Sequence, residues 1–212
     1  MGTEFVELFE KWAENYDKSV MGNDLEYQKV FYNYDEILKE VADRAFGHVL
    51  EFGTGTGNLT LKLLEKGLKV TGIEPSDAMK KIGEKKIGAN ANIFKGDFLH
   101  YPADLALDSI VSTYAFHHLT DQEKGEAILS YSNILAPGGK IIFADTMYKS
   151  LEDFKQAISD AVQSGFHNLA EDLQREYYPT IPVLKKMMEE NSFTVTFSKC
   201  NDFVWIMEGV KI

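Results

Sequence analysis

The sequence predicts an α/β protein: a seven-stranded, mostly parallel sheet with helices on both faces, an antiparallel C-terminal strand and a helical N-terminal cap. Three observations carry this. His48–Phe52 is a short, mostly apolar run, followed by glycines at 53, 55 and 57 and then by the helical pattern Asn58-Leu-Thr-Leu-Lys-Leu-Leu. A second strand-like run, Leu68–Glu74, ends in an acid. Strand and helix patterns then alternate down to a terminal hairpin signal, Phe193–Lys199 and Phe203–Lys211 around Asn201-Asp202.

Taken in order, Phe5, Leu8, Phe9 and Trp12 share one face of a helix over Thr3–Trp12. Asn15-Tyr16-Asp17 breaks that pattern. From Asp24, the spacing of Tyr27, Val30, Phe31, Tyr34, Ile37, Leu38 and Val41 predicts a longer helix. Residues 1–45 therefore read as a cap and 46–212 as the α/β core of a single domain, since 212 residues suit one core and are short for two.

Beyond the glycines, Leu59, Leu63 and Leu64 form an inward stripe that Gly67 ends. Ser76 is an N-cap for a helix with Met79 and Ile82 inward, and Gly88 stops it. Ala91–Lys95 and Leu105–Thr113 are the third and fourth strands. Thr120 and Glu123 form a capping box for a helix that buries Ala127, Ile128, Tyr131, Ile134 and Leu135. Pro137-Gly138-Gly139 turns into strand Lys140–Asp145. Helix Leu151–Phe166, a short helix and loop to Tyr178, and helix Val183–Asn191 precede the hairpin.

Hydrophobic and charged contents of 44% and 26% are those of a globular protein, and the net charge of −11 argues against a nucleic-acid partner. Lys80, Lys81, Lys85 and Lys86 fit the wet face of a helix. Cys200 is the only cysteine, which excludes an internal disulfide and a zinc site of several thiolates, and no metal ligand is assigned. No apolar run reaches the ~18 residues of a membrane helix. The acidic start lacks the basic region of a secretion signal, so the expected setting is cytoplasmic, with no membrane partner.

A strand, a glycine turn and a helix start suit a nucleotide-like ligand. Glycine takes positive φ and admits close approach, and the helix start offers free N–H groups. The spacing is G-x-G-x-G, not the G-x-G-x-x-G of dinucleotide sites. Glu74 stands where a carboxylate at a strand end accepts both hydroxyls of a ribose, at about 1.5–3 kcal/mol per charge-assisted bond.

Glu51-Phe-Gly-Thr-Gly-Thr-Gly followed by Glu74 resembles motifs I and II of the class I S-adenosylmethionine-dependent methyltransferases, and the Pro-Gly-Gly turn before Ile-Ile-Phe-Ala-Asp is a further shared feature. The whole chain resembles the small YrrT-type methyltransferases of bacteria. The resemblance implies a Rossmann-like fold and S-adenosyl-L-methionine as cofactor. It places Glu51, Gly53, Gly55, Gly57, Glu74 and Thr113 around that cofactor, with Asp97 and Phe98 at the adenine. It also implies that the N-terminal segment folds over the pocket. Tyr16 then reaches the methionine end or the sulfonium, where a cation–π contact gives about 0.5–2 kcal/mol. Two plainer readings stand beside these: Tyr16 as a core aromatic, and Asp97 as a turn aspartate.

Methyl transfer from a sulfonium is an in-line displacement, and positioning alone lowers such barriers by up to ~7–11 kcal/mol. A general base is needed only if the nucleophile must lose a proton. His117 and His118 are the candidates, the alternative being that they shape the pocket or bond backbone. Tyr114, His167, Tyr177 and Tyr178 are candidate acceptor-pocket residues or core aromatics. Ser112-Thr-Tyr-Ala-Phe replaces the Asn/Asp-Pro-Pro-Tyr of base-amine methyltransferases, so a small-molecule acceptor is expected. The alternatives are a silent cofactor-binding protein and an NAD-dependent oxidoreductase. The glycine spacing and the terminal hairpin count against the latter.

Overall fold

The computed structural model of the chain describes residues 5–102 and 105–212. Its seven strands are β1 (His48–Phe52), β2 (Lys69–Glu74), β3 (Asn92–Lys95), β4 (Ser109–Thr113), β5 (Lys140–Thr146), β6 (Phe193–Lys199) and β7 (Val204–Lys211). They lie in the order β3-β2-β1-β4-β5-β7-β6. The first five are parallel, and β7 runs antiparallel to both β5 and β6. The predicted hairpin is present, with its second strand inserted between β5 and β6.

Both faces of β1 are covered, as its apolar run requires. Val49 packs in a cluster with α3 (Tyr34–Arg44) and α4 (Asn58–Glu65), through Leu38, Val41, Leu59 and Leu63. Leu50 and Phe52 pack on the other face with α6 (Asp121–Ile134) and α9 (Ile181–Glu190), through Ile128, Tyr131, Leu184 and Met188. The remaining helices are α1 (Val6–Trp12), α2 (Tyr16–Lys18), α5 (Asp77–Ile87), α7 (Leu151–Gln163) and α8 (His167–Arg175). No helix among the described residues is long and apolar enough to cross a membrane.

Local signals hold at the helix starts. Ser76 Oγ accepts the Met79 N–H at 3.2 Å, and Thr120 and Glu123 form the reciprocal capping box. The N-terminal cap departs from prediction. Thr3 and Glu4 lie outside the described residues, and Leu8 is exposed rather than inward. The first helix stops before Asn15 as expected, α1 ending at Trp12, but after a turn a further helical stretch follows, α2 and a π-turn to Asn23. The helix expected from Asp24 begins only at Tyr34, because Asn33 adopts φ 62°, a conformation no right-handed helix contains. The Asn201 side chain donates to the carbonyls of Val30 and Tyr32 at 3.0 and 2.9 Å, taking acceptors a helix would use. The fourth strand starts at Ser109, not Leu105.

The parallel strands end together. Their order reverses between β1 and β4, so the crevice at the carboxyl ends opens beside Gly53, where open α/β sheets take their ligands.

Candidate cofactor and active site

The turn after β1 is held by backbone bonds. Gly53 donates to Ile73 O at 2.9 Å and Gly57 to Thr54 O at 2.8 Å. The three glycines have φ of 66°, 53° and 85° but serve different ends. A Cβ on Gly53 would lie 2.8 Å from Ala115 Cβ, and one on Gly57 would crowd Ile87 and Gly83 of α5. A Cβ on Gly55 would meet nothing within 4 Å, so that position borders open space. Glu74 is buried across from it. Its Oε2 accepts the Gly55 N–H at 2.7 Å and its Oε1 the Ser76 N–H at 2.9 Å. Burial outweighs both bonds and pushes its carboxyl up to about 7.

These residues border a cavity of about 80 Å³. Of the predicted residues, Tyr16, Gly53, Gly55, Glu74, Asp97, Phe98, Thr113 and His118 line it. Val6, Phe9, Pro75, Met79, Ala115 and Leu119 complete it, of which sequence reasoning had placed only Phe9 and Met79 inward, and those as core. Tyr114 also lines it, at a left-handed φ of 54° and with a buried hydroxyl that has no partner. An orphaned hydroxyl and a glycine facing space fit a polar ligand that approaches the backbone closely.

Three predicted residues stand off the cavity wall. Gly57 packs between α4 and α5. Glu51 points to the α4 face, where Thr60 Oγ1 donates to its Oε2 at 2.7 Å. Burial, with Glu74 nearby, pushes the Glu51 carboxyl up to about 8. His117 is turned away, with Nδ1 2.6 Å from Asp145 Oδ1 and Nε2 2.8 Å from Glu176 Oε2. Burial works against a charge on that ring, but the two carboxylates outweigh it and push it up to about 10. His118 has the opposite environment. Phe5 and Phe9 pack on its ring at 4.8 and 5.2 Å. Burial and the His117 charge push it down to about 3, so it is neutral.

Asp97 serves its own turn: Oδ1 accepts the N–H groups of Leu99 and His100 at 2.8 and 3.0 Å. Tyr16 lies beside Tyr34 and sets its ring edge-on to Trp12. The N-terminal segment is fastened over the crevice by two acids. Glu10 Oε1 accepts from Ser76 Oγ at 2.9 Å and from Ala78 N at 3.3 Å, at the start of α5. Asp17 accepts from Thr56 Oγ1 at 2.6 Å and Asn58 Nδ2 at 3.0 Å, and pairs with Lys86 at 2.9 Å.

The raised carboxyls carry a pH signature. Glu51 and Glu74 keep their protons in the folded chain at pH values where the unfolded chain, near 4.5, has released them. Their contribution to stability is therefore full below pH 4.5 and is lost as pH rises to about 8. The Tm of the apo protein should fall progressively from pH 5 to pH 8 through these groups. Glu51→Gln should flatten that slope in a thermal melt series, and parallel slopes would refute the assignment.

Comparison with known proteins places the chain. Residues 49–139 match the methyltransferase domain family. Over 212 residues, and 100% of both chains, it is 57% identical to an uncharacterized methyltransferase of a Geobacillus species. It is 52% identical, over 100% of both chains, to one of Bacillus cytotoxicus. In fold it is similar to the magnesium protoporphyrin IX methyltransferase of Synechocystis with bound S-adenosylhomocysteine (SAH), at a TM-score of 0.76, 15% identity and 100% coverage of both chains. The DhpI–SAH complex gives 0.71 at 16% identity, covering 100% of this chain and 97% of that one. By 57% and 52% identity over its full length to the Geobacillus and Bacillus cytotoxicus proteins, the chain belongs to the methyltransferases.

Proposed function

We propose that the methyl group passes to a small molecule held against the aromatic side of the cavity. The observation that carries this is the cavity itself. It joins the glycine turn and two strand-tip acids to the Phe9–His118 contact, and α1 crosses it. A covered pocket suits a compact acceptor, whereas a polymer needs an open groove. The net charge of −11 adds to the case against nucleic acid and suits a cationic sulfonium.

In this reading the cofactor lies along Gly53 and Gly55, with its ribose on Glu74, its adenine beside Asp97 and Phe98, and its methionine end toward Thr113 and Tyr16. Glu51 and Gly57 support the turn from behind. The bound group supplies an activated methyl, and the protein positions the two reactants. Of the two histidines, His118 is the one on the acceptor side, and His117 acts from behind it. The cavity is smaller than the roughly 300–1,000 Å³ of small-molecule sites, so α1 must shift for cofactor and acceptor to enter. Incubation with methyl-labelled cofactor and separate pools of small metabolites, RNA, DNA and protein tests the acceptor class. Label is expected in the small-molecule pool, and label confined to the polymers would overturn the reading.

A further inference from the structure

His117 and His118 lie on a short 3-10 turn after β4, and both are buried. The residue following α8, Glu176, is brought against them. Its Oε2 is 2.8 Å from His117 Nε2 and 3.4 Å from His118 Nδ1. One ligand atom from each of the three side chains lies within 4.8 Å of the others. Two imidazole nitrogens and one carboxylate oxygen form the donor set of catalytic zinc and related transition-metal sites.

Three further features point the same way. Asp145 Oδ1 takes the far nitrogen of His117 at 2.6 Å, and its Oδ2 accepts the His117 backbone N–H at 2.9 Å. A carboxylate behind a histidine fixes the tautomer and aims the other nitrogen at a metal. Next, neither ring nitrogen of His118 has a hydrogen-bond partner, although the ring is buried. An imidazole in that condition bears a desolvation cost that a ligated ion offsets. Finally, the Glu176 loop is fixed: Tyr177 N donates to His117 O at 3.1 Å, and Lys124 Nζ to Tyr177 O at 2.7 Å. Arg175 sits 3.6 Å from Glu176 Oε1, and the Tyr178 hydroxyl donates to Oε2 at 3.2 Å. The Glu176 carboxylate therefore faces ring nitrogens of both histidines, with Asp145 behind His117.

We propose that His117 Nε2, His118 Nδ1 and Glu176 Oε2 bind one divalent transition-metal ion of the zinc type, which replaces the proton bridging His117 and Glu176. The nitrogen-rich donor set favours such an ion over magnesium or calcium, which take oxygen ligands. His118 also lines the cavity, so the ion lies behind that ring and would fix the orientation of the one histidine that faces the acceptor. That last role rests on the methyltransferase reading; metal binding does not.

The test is calorimetry on the tag-free, chelator-treated full chain, titrated with zinc chloride alone and, separately, with SAH. One zinc per chain with Kd below about 1 µM is expected. His118→Ala and Glu176→Gln should each weaken it at least roughly tenfold, and Asp145→Asn roughly 10–100-fold. Cys200→Ser should leave it unchanged. Should the variants fail to fold, zinc-soaked wild-type crystals measured at the zinc edge must show an anomalous peak between the three side chains. No stoichiometric binding, no peak there, or variants with wild-type Kd overturns the site. SAH binding without zinc binding defeats the metal site alone, and zinc binding without SAH binding defeats the methyltransferase site alone.

Discussion

Gly53→Val is expected to weaken SAH binding by at least ~100-fold, to the limit of calorimetric detection. Gly53 holds φ 66°, where an L-residue costs about 1–2 kcal/mol and a β-branched one more. Its Cβ would also stand 2.8 Å from Ala115 Cβ, a short side chain with no freedom to swing aside. The turn must therefore shift, and with it the Gly53 N–H held on Ile73 O. Gly55→Ala separates the fold from the ligand. Its φ of 53° carries the same backbone strain, but the added methyl meets no protein atom within 4 Å. Its Tm should fall only by the strain, roughly 2–8 °C, while SAH weakens about tenfold or more because the ligand occupies that space. A wild-type Kd in Gly55→Ala would show that the cofactor does not run along the turn.

What was legible in the sequence was local. The strand–glycine–helix unit, the Ser76 cap, the Thr120–Glu123 box and the terminal hairpin are encoded within a few residues of themselves, and each is present. Glu74 was legible because a strand end fixes where its carboxylate points. The failures come from partners distant in sequence. The helix expected from Asp24 satisfied the apolar spacing, but Asn201, 169 positions from Tyr32, takes its carbonyls. The insertion of β7 between β5 and β6 leaves no periodic trace. Most telling are His117 and His118. As neighbours of one type they are equivalent on paper, yet Asp145 and Glu176 flank one while Phe5 and Phe9 enclose the other. Glu176 carried no signal beyond being an acid before Tyr-Tyr-Pro, so its pairing with His117 was not foreseeable.

Glu74→Ala should weaken SAH by about 2 kcal/mol, near 30-fold, the cost of leaving ribose hydroxyls unmatched. The same change leaves the Gly55 and Ser76 N–H groups without their acceptor, so Tm must fall as well. Glu74→Gln controls for size. Both carboxylate oxygens accept from N–H groups, so whichever way the amide turns, its NH2 faces a donor. The sharper test is pH. Burial holds the free carboxyl at about 7, and ribose hydroxyls donate to the ionised form. Below that value binding must first expel a proton, so affinity rises with pH through 7 and then levels. SAH should bind roughly tenfold more weakly at pH 6 than at pH 8, and Glu74→Gln should show no such rise. This dependence runs opposite to that of stability, which falls over the same interval, so an effect caused by loosening of the fold would carry the wrong sign. A wild-type Kd that is flat from pH 6 to 8 would remove Glu74 from the ribose.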